Sequence, residues 1–591
     1  MTRPVWSGKL ALMALMIGSL LVGAVSTSAF NPDTEVTVGS NDSVFSQNKQ
    51  NEPAIAADPV NTSVLAAGAN DNIDMEACNA GDPTTCPFTD GVGVTGIQFS
   101  FDSGTTWHQP TYTGWTARDC LGPAPCAPNV GPIGTLPWYY ENGLVSDGDP
   151  ALAFGPKPGS NGAFSWSNGG RLYVANLASN FSAQRDDQAF KGFEAIAVSR
   201  IDGPATGLTQ AIVDNKNNWR PPVIASRRQS STTFADKEQI WADNASSSPF
   251  FGNVYVCFAQ FRSQPGAAAP LVVTRSTDGG DTWGQRQVTE ATNVPPMMWG
   301  RSGCTIRTDS AGVVYLFYES FQSPFRFLPP RGTHFMVKSF DGGRSWTRPI
   351  ALFRIADPCH FVDPVIQRCV MDGVAGARND LSAAPSVTIA NGAPTGAGAT
   401  NMIVNVWADG RDGLNNEKVL LSYSTDGGTT WSAPTAVNLP GHRAYYAAPA
   451  LSPNGRDLYV VYNAFTTPFR NNTTDPRGLI GVVRHADIAA GGTPISWSTL
   501  NIGAVGDPRG SSQNNLQAGF LGDYVYATAT NTYGAAVWND ARNAAVCPAI
   551  NAWRAAIRGG PAAPRPAPNT DCPPTFGNTD IFGGSYPDPT P

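Results

Sequence analysis

The chain has 591 residues, with 61 glycines, 49 prolines and only 14% charged residues. Such a length exceeds what one compact core normally fills, and Gly/Pro turns among many short apolar runs point to an all-β protein of repeated sheets. A net charge of −7 over this length leaves no Lys/Arg cluster to neutralise phosphates, which excludes nucleic acid as the expected partner.

At the N-terminus, Arg3 and Lys9 precede an apolar run from Leu10 to Val25, and Thr27-Ser28-Ala29 offers a cleavage site. Residues 1–29 are therefore expected to be a signal peptide and residues 30–591 a single exported domain. No later segment is apolar enough to span a bilayer. The expectation is a secreted, extracellular monomer with no membrane association after cleavage. Ten cysteines suit that compartment as disulfides. Spacing favours Cys78 with Cys86, Cys120 with Cys126 and Cys359 with Cys369. Cys547 and Cys572 bracket a Pro/Ala-rich loop, and Cys257 and Cys304 remain in neighbouring repeats.

The pattern Ser-x-Asp-x-Gly-x-[Thr/Ser]-Trp occurs four times, at 100–107, 276–283, 339–346 and 424–431. Each copy follows a strand-like run and precedes another, which is a hairpin signal. In such a turn the aspartate accepts backbone N–H groups, glycine supplies φ > 0, and the tryptophan buries apolar surface between sheets. A second repeat has first strands starting near Glu52, Asp149, Glu238, Gly303, Ala384, Ala448 and Asp523, each followed by a second strand. Two of the repeats without the full turn pattern keep a tryptophan, Trp219 and Trp497. The seventh lacks a fourth strand, which Glu35 to Val38 can supply to close a ring and remove exposed edges. The predicted architecture is a seven-bladed β-propeller of four-stranded antiparallel blades closed by an N-terminal strand, with six blades as the alternative.

The four turns resemble the Asp box, or BNR repeat, of sialidases and related propellers, where it is a structural element. The resemblance implies a sialidase-like glycoside hydrolase, of the exo-α-sialidase type. The sequence departs from that family before the first turn, where the expected arginine is missing: Phe45 to Gln98 contains none.

Topology directs the search for chemistry to the face opposite the turns, where first strands start and second strands end. At the starts lie Glu52, Asp149, Lys237, Glu238, Arg301, Arg378, Asp380, Arg443, Tyr445 and Asp523. At the ends lie Asp71, Arg262, Glu319 and two copies of Trp-x-Asp-x-Arg, with Asp409 and Arg411 in one and Asp540 and Arg542 in the other. A repeated structural ion pair under a packed indole is the plain interpretation of that motif; substrate binding is the functional one. The sialidase resemblance implies an arginine cluster for a substrate carboxylate, met by Arg301, Arg378 and Arg443. It implies a tyrosine nucleophile, Tyr445 or Tyr446, polarised by Glu238 or Glu52, with Asp149 or Asp523 as acid/base. No zinc site or nucleophile elbow is present. No cofactor or catalytic metal is expected; a structural calcium could be held only in loop clusters such as Asp71-Asn-Ile-Asp74. The expected partner is a glycan or polysaccharide. The rival readings are a non-catalytic glycan- or protein-binding propeller and a polysaccharide lyase on the same scaffold.

Overall fold

The computed structural model describes residues 32–81, 86–226, 230–262, 269–291, 301–321, 329–374 and 376–590. The proposed signal peptide lies outside them. Seven antiparallel sheets form the blades of a propeller, each built outward from an inner strand. The inner strands are Gln50–Ala57, Ala151–Pro158, Thr233–Ala242, Arg301–Thr308, Ser386–Ile389, Arg443–Leu451 and Tyr526–Ala529, in blades 1 to 7. Blade 1 has three strands, extended at its outer edge by mutual hydrogen bonds between Phe99 and His108. Blade 2 carries a fifth, short strand, Leu144–Ser146, in line with its inner one.

Packing accounts for the ring. An apolar cluster lies between every pair of neighbouring blades, including Leu65 and Ala67 of blade 1 against Tyr533 and Val537 of blade 7. The last blade is completed by Thr34–Glu35, which pairs with Asp580–Pro587, so the chain's start closes the ring as the repeat count requires. The tryptophans of the four turns, Trp107, Trp283, Trp346 and Trp431, each pack between their own blade and the preceding one. Trp219 and Trp497 do the same in the blades without the turn, although both sit within the last strand rather than before it.

The four turns share one geometry. The first serine Oγ accepts the glycine N–H at 2.8 Å in every copy and donates to the aspartate. The aspartate accepts the N–H and the hydroxyl of the residue before the tryptophan. The glycines, for example Gly280 at φ 89°, occupy the left-handed region that favours this residue.

The three disulfides favoured by spacing are formed, as is Cys547–Cys572, and the two remaining cysteines pair as Cys257–Cys304, which ties the second strand of blade 3 to the first of blade 4. Two features were not anticipated. A hairpin, Tyr112–Thr116 with Asn129–Ile133, occupies the link from blade 1 to blade 2. The segment bracketed by Cys547 and Cys572 begins as a helix, Pro548–Ala556, that packs with Phe45, Leu516 and Phe576. Among the described residues no helix is long and apolar enough to cross a membrane.

Candidate functional site at the channel mouth

The inner strands open toward the channel through a repeated backbone irregularity. Blades 1, 3, 4 and 6 each carry a register shift near the start of the inner strand. In each the shifted residue has positive φ: Glu52 (57°), Lys237 (60°), Gly303 (56°) and Tyr446 (37°). Asp149 (52°) holds the equivalent place in blade 2, between the short strand and the inner strand. Bulges re-aim side chains, and non-glycine residues in this region are strained, a cost found chiefly where function needs a fixed geometry.

The re-aimed side chains meet. Lys237 Nζ lies 3.2 Å from Asp149 Oδ2 and 2.9 Å from Asp523 Oδ2. Arg378 Nη2 is 2.8 Å from the same Asp523 oxygen and 3.6 Å from Glu52 Oε1, while its guanidinium stacks on Phe520. Tyr446 donates to the Arg378 carbonyl. Asn70 ties the two acids together: its Nδ2 donates to Glu52 Oε2 at 2.6 Å and its Oδ1 accepts the Asp149 N–H at 2.7 Å. Asp236, Glu238 and Asp380 complete the cluster, and Arg368 pairs with Asp380, so six carboxyls face three cations, Lys237, Arg378 and Arg368.

That imbalance separates the carboxyls electrically. Burial, with Asp149 and Asp523 alongside, pushes Glu52 well above the usual carboxylate range. Burial, then Asp149 and Asp236, does the same to Glu238, and among the described residues neither of its oxygens has a hydrogen-bond partner. Burial raises Asp236 to about 6 against the pull of Lys237. Burial opposes ionisation of Asp149 and Asp523 too, but Lys237 holds Asp149 below its ordinary value, and Arg378 and Lys237 hold Asp523 below its own. Protonated donors and ionised acceptors thus stand side by side at neutral pH. Asp149, Asp236 and Glu238 are close enough to share a cation, and the Lys237 ammonium already meets Asp149 and Asp236.

Under this cluster is a cavity of about 60 Å³, lined by Asp149, Glu238, Thr305, Tyr446, Asp523 and Tyr524 among others. It has room for only a few waters, each needing roughly 10–15 Å³, so a sugar ring would have to rest above it. Burial raises both Tyr446 and Tyr524 far above the ordinary phenol range, keeping them protonated.

The other expected residues lie elsewhere or in closed pairs. Tyr445 points away from the mouth, buried with Phe465 and Met371, its hydroxyl 3.2 Å from Glu417 Oε1 and 3.0 Å from Arg443 Nη2. Arg443 itself is buried against both Glu417 oxygens. The inner strand of blade 4 starts with Arg301, whose side chain, like that of Arg262, lies outside the described residues. Asp409 and Asp540 each accept from the indole of their own motif and from the backbone and guanidinium of Arg411 and Arg542. Arg542 also holds Asp33, which anchors the closing strand. Asp71 and Asp74 are satisfied by protein donors, Asp74 by Arg118, Gly134 and Thr135.

Sequence reasoning left Lys237 without a role and passed over Lys49 and Phe520. Lys49 stacks on the same phenylalanine as Arg378, and burial lowers its ammonium to about 8. An isolated Asp-Lys-Glu at 236–238 inside an otherwise alternating strand is the signal that could have found the cation.

No protein-family model matches the chain, and no curated protein does. Among solved structures it is similar to a Hadza microbial sialidase, at 13% identity and TM-score 0.37, over 70% of this chain and 63% of that one. It is similar to a Trypanosoma rangeli sialidase in complex with the inhibitor DANA, at 11% identity and TM-score 0.37, over 77% and 60% of the two chains. An α-L-arabinofuranosidase from Fusarium graminearum matches at 11% identity and TM-score 0.37, over 74% and 92%. The match thus spans less than two thirds of either sialidase. At these identities the likeness assigns no reaction.

Proposed function

We propose that the protein is a secreted glycoside hydrolase that cleaves a glycosidic bond at the channel mouth. The observation that carries this reading is the carboxyl set in which Glu52 is held protonated beside the ionised Asp149 and Asp523. Paired carboxyls with pKa values pushed apart are the requirement for acid and base roles at one pH. Glu52 donates a proton to the leaving oxygen. Asp149, linked to it through Asn70, takes a proton from the water that attacks the anomeric carbon and passes it back to Glu52. Asp523, fixed by Lys237 and Arg378, faces the positive charge that develops at the sugar's anomeric carbon.

Of the three arginines implied by the sialidase resemblance, Arg378 reaches the mouth but is committed to Asp523, and Arg443 is committed to Glu417. This favours a glycosyl unit without a carboxylate over sialic acid. Tyr445, buried and remote, takes no part. Export is supported by the N-terminal apolar run and by five disulfides, which persist in oxidising compartments.

The test is hydrolysis of a panel of aryl glycosides, the sialoside included, by the mature protein and its Glu52→Gln variant. Glutamine mimics the protonated acid without its labile proton. The expected result is release from a neutral glycoside, with kcat/KM falling at least ~100-fold in the variant at unchanged thermal midpoint. Silence across the panel from folded protein, or full activity in E52Q, would overturn the reading. Silence would favour the glycan-binding alternative.

A further inference from the structure

The channel holds a second, larger cavity of about 190 Å³ at its other end, the side of the four turns. It is rimmed by the turns joining first to second strands, such as those at Asp58 and Asn531, and walled by Ala153, Pro449 and Leu451 among others. Gln239 and Tyr526 line both cavities and so stand between them.

Arg307, on the inner strand of blade 4, lines this lower cavity. Its guanidinium stacks on the Trp241 ring, 4.8 Å from the centroid. Only Nη1 is engaged, donating to Gln239 Oε1 at 2.9 Å and to the Ile306 carbonyl at 2.7 Å; both acceptors are neutral. Among the described residues Arg307 forms no ion pair, and Nε and Nη2 donate to nothing. The contrast with the channel's other cations is plain: Lys237 and Arg378 each face several carboxyls. Arg554, also without an ion pair, is instead saturated by backbone carbonyls. Burial without a counter-charge lowers Arg307 to about 10.

An arginine held rigid by an indole, with a free edge and no counter-ion, is a receptor for a planar anion, because Nε and Nη2 match the two oxygens of a carboxylate. The walls select further. They mix polar residues such as Thr388, Asn391 and Thr528 with apolar ones such as Ala153, Pro449 and Leu451; the apolar part cannot replace the hydration of sulfate or chloride, and a cavity of about 150 Å³ already accepts a benzene ring. We propose that the lower channel is a binding site for a small organic monocarboxylate of about the size of benzoate, its carboxylate on Arg307 and its apolar body against the cavity wall.

Calorimetric titration of sodium benzoate into the full mature protein tests this, with benzyl alcohol as the neutral isostere and sodium sulfate at equal ionic strength as the inorganic rival. Saturable one-to-one binding of benzoate is expected, at least tenfold tighter than benzyl alcohol and undiminished by sulfate. Arg307→Met should weaken it at least tenfold, and Arg307→Lys less. Thermal melts establish that each variant is folded. A crystal soaked in 4-bromobenzoate should show bromine anomalous signal in the lower cavity, beside Arg307 and Trp241. No saturable binding by the wild type, equal affinity of benzyl alcohol, displacement by sulfate, unchanged affinity in folded R307M, or bromine elsewhere would each overturn the proposal.

Discussion

Asp341, on a turn, and Glu52, at the channel mouth, carry the same functional group on the same scaffold. Asp341 is exposed and accepts from Ser339, Arg344 and Ser345, all within four residues, and these hydrogen bonds lower it to about 2. Glu52 is buried, its neighbours come from blades 2 and 7 and the loop before blade 5, and its pKa moves the other way. Donors from a carboxyl's own turn make it a fixed structural anion. Carboxyls gathered from distant blades with too few cations compete for protons, and this poises them for proton transfer.

Removing the cation at the mouth should have the largest effect. Lys237→Met leaves Asp149 and Asp523 buried with less compensation, and an unfolding free energy lower by about 3–5 kcal/mol is expected from urea titration. A loss under about 1 kcal/mol would mean that the acids simply take up protons and that the cation does not fix their charge.

On the turn side, Asp278→Ala removes the acceptor for Ser276 and for both donors of Thr282, with an expected cost of about 1–2 kcal/mol and no change in kcat/KM. Together with E52Q this forms a crossed pair. One variant should lose activity and keep stability, and the other the reverse. An active-site effect of D278A would erase the distinction.

The remaining effect is a matter of pH. Burial, with Glu35 next to it, raises Asp580 to about 8. Its folded pKa exceeds the unfolded value near 4, so the folded state binds the extra proton and stability falls as pH rises from about 4 toward 8. The thermal midpoint should drop between pH 5 and pH 8, and Asp580→Asn should make that drop shallower. Asp341 has the opposite sign: its contribution is present above pH 4 and is lost as pH falls toward 2. A midpoint in D580N that falls as steeply as in the wild type would assign the slope to other buried acids, such as Asp357.

Much of the fold was legible because its signals are local. Turn residues four apart bond to each other, strands alternate, and an indole after each turn marks a blade contact. The blade count, the closing strand and the three local disulfides follow from those spacings. The Trp-x-Asp-x-Arg motif was equally readable as a self-contained pair, since its aspartate is held by its own tryptophan and arginine.

The site was legible only as a face. Tyr445 and Tyr446 are adjacent, and neighbouring side chains on a strand point to opposite sides, so a bulge at Tyr446 decides which one reaches the channel. Periodicity carries no trace of that one-residue shift. Arg378 and Asp523 are 145 residues apart, and Arg443 had the same apparent standing until Glu417 claimed it. By itself the sequence determined the blades, the turns and the three local disulfides, because each rests on contacts short in sequence or on a repeated spacing. Tertiary structure alone decided which charges meet, which stay protonated, and which arginine has no counter-charge among the described residues, because burial and long-range proximity set the energy of a charge.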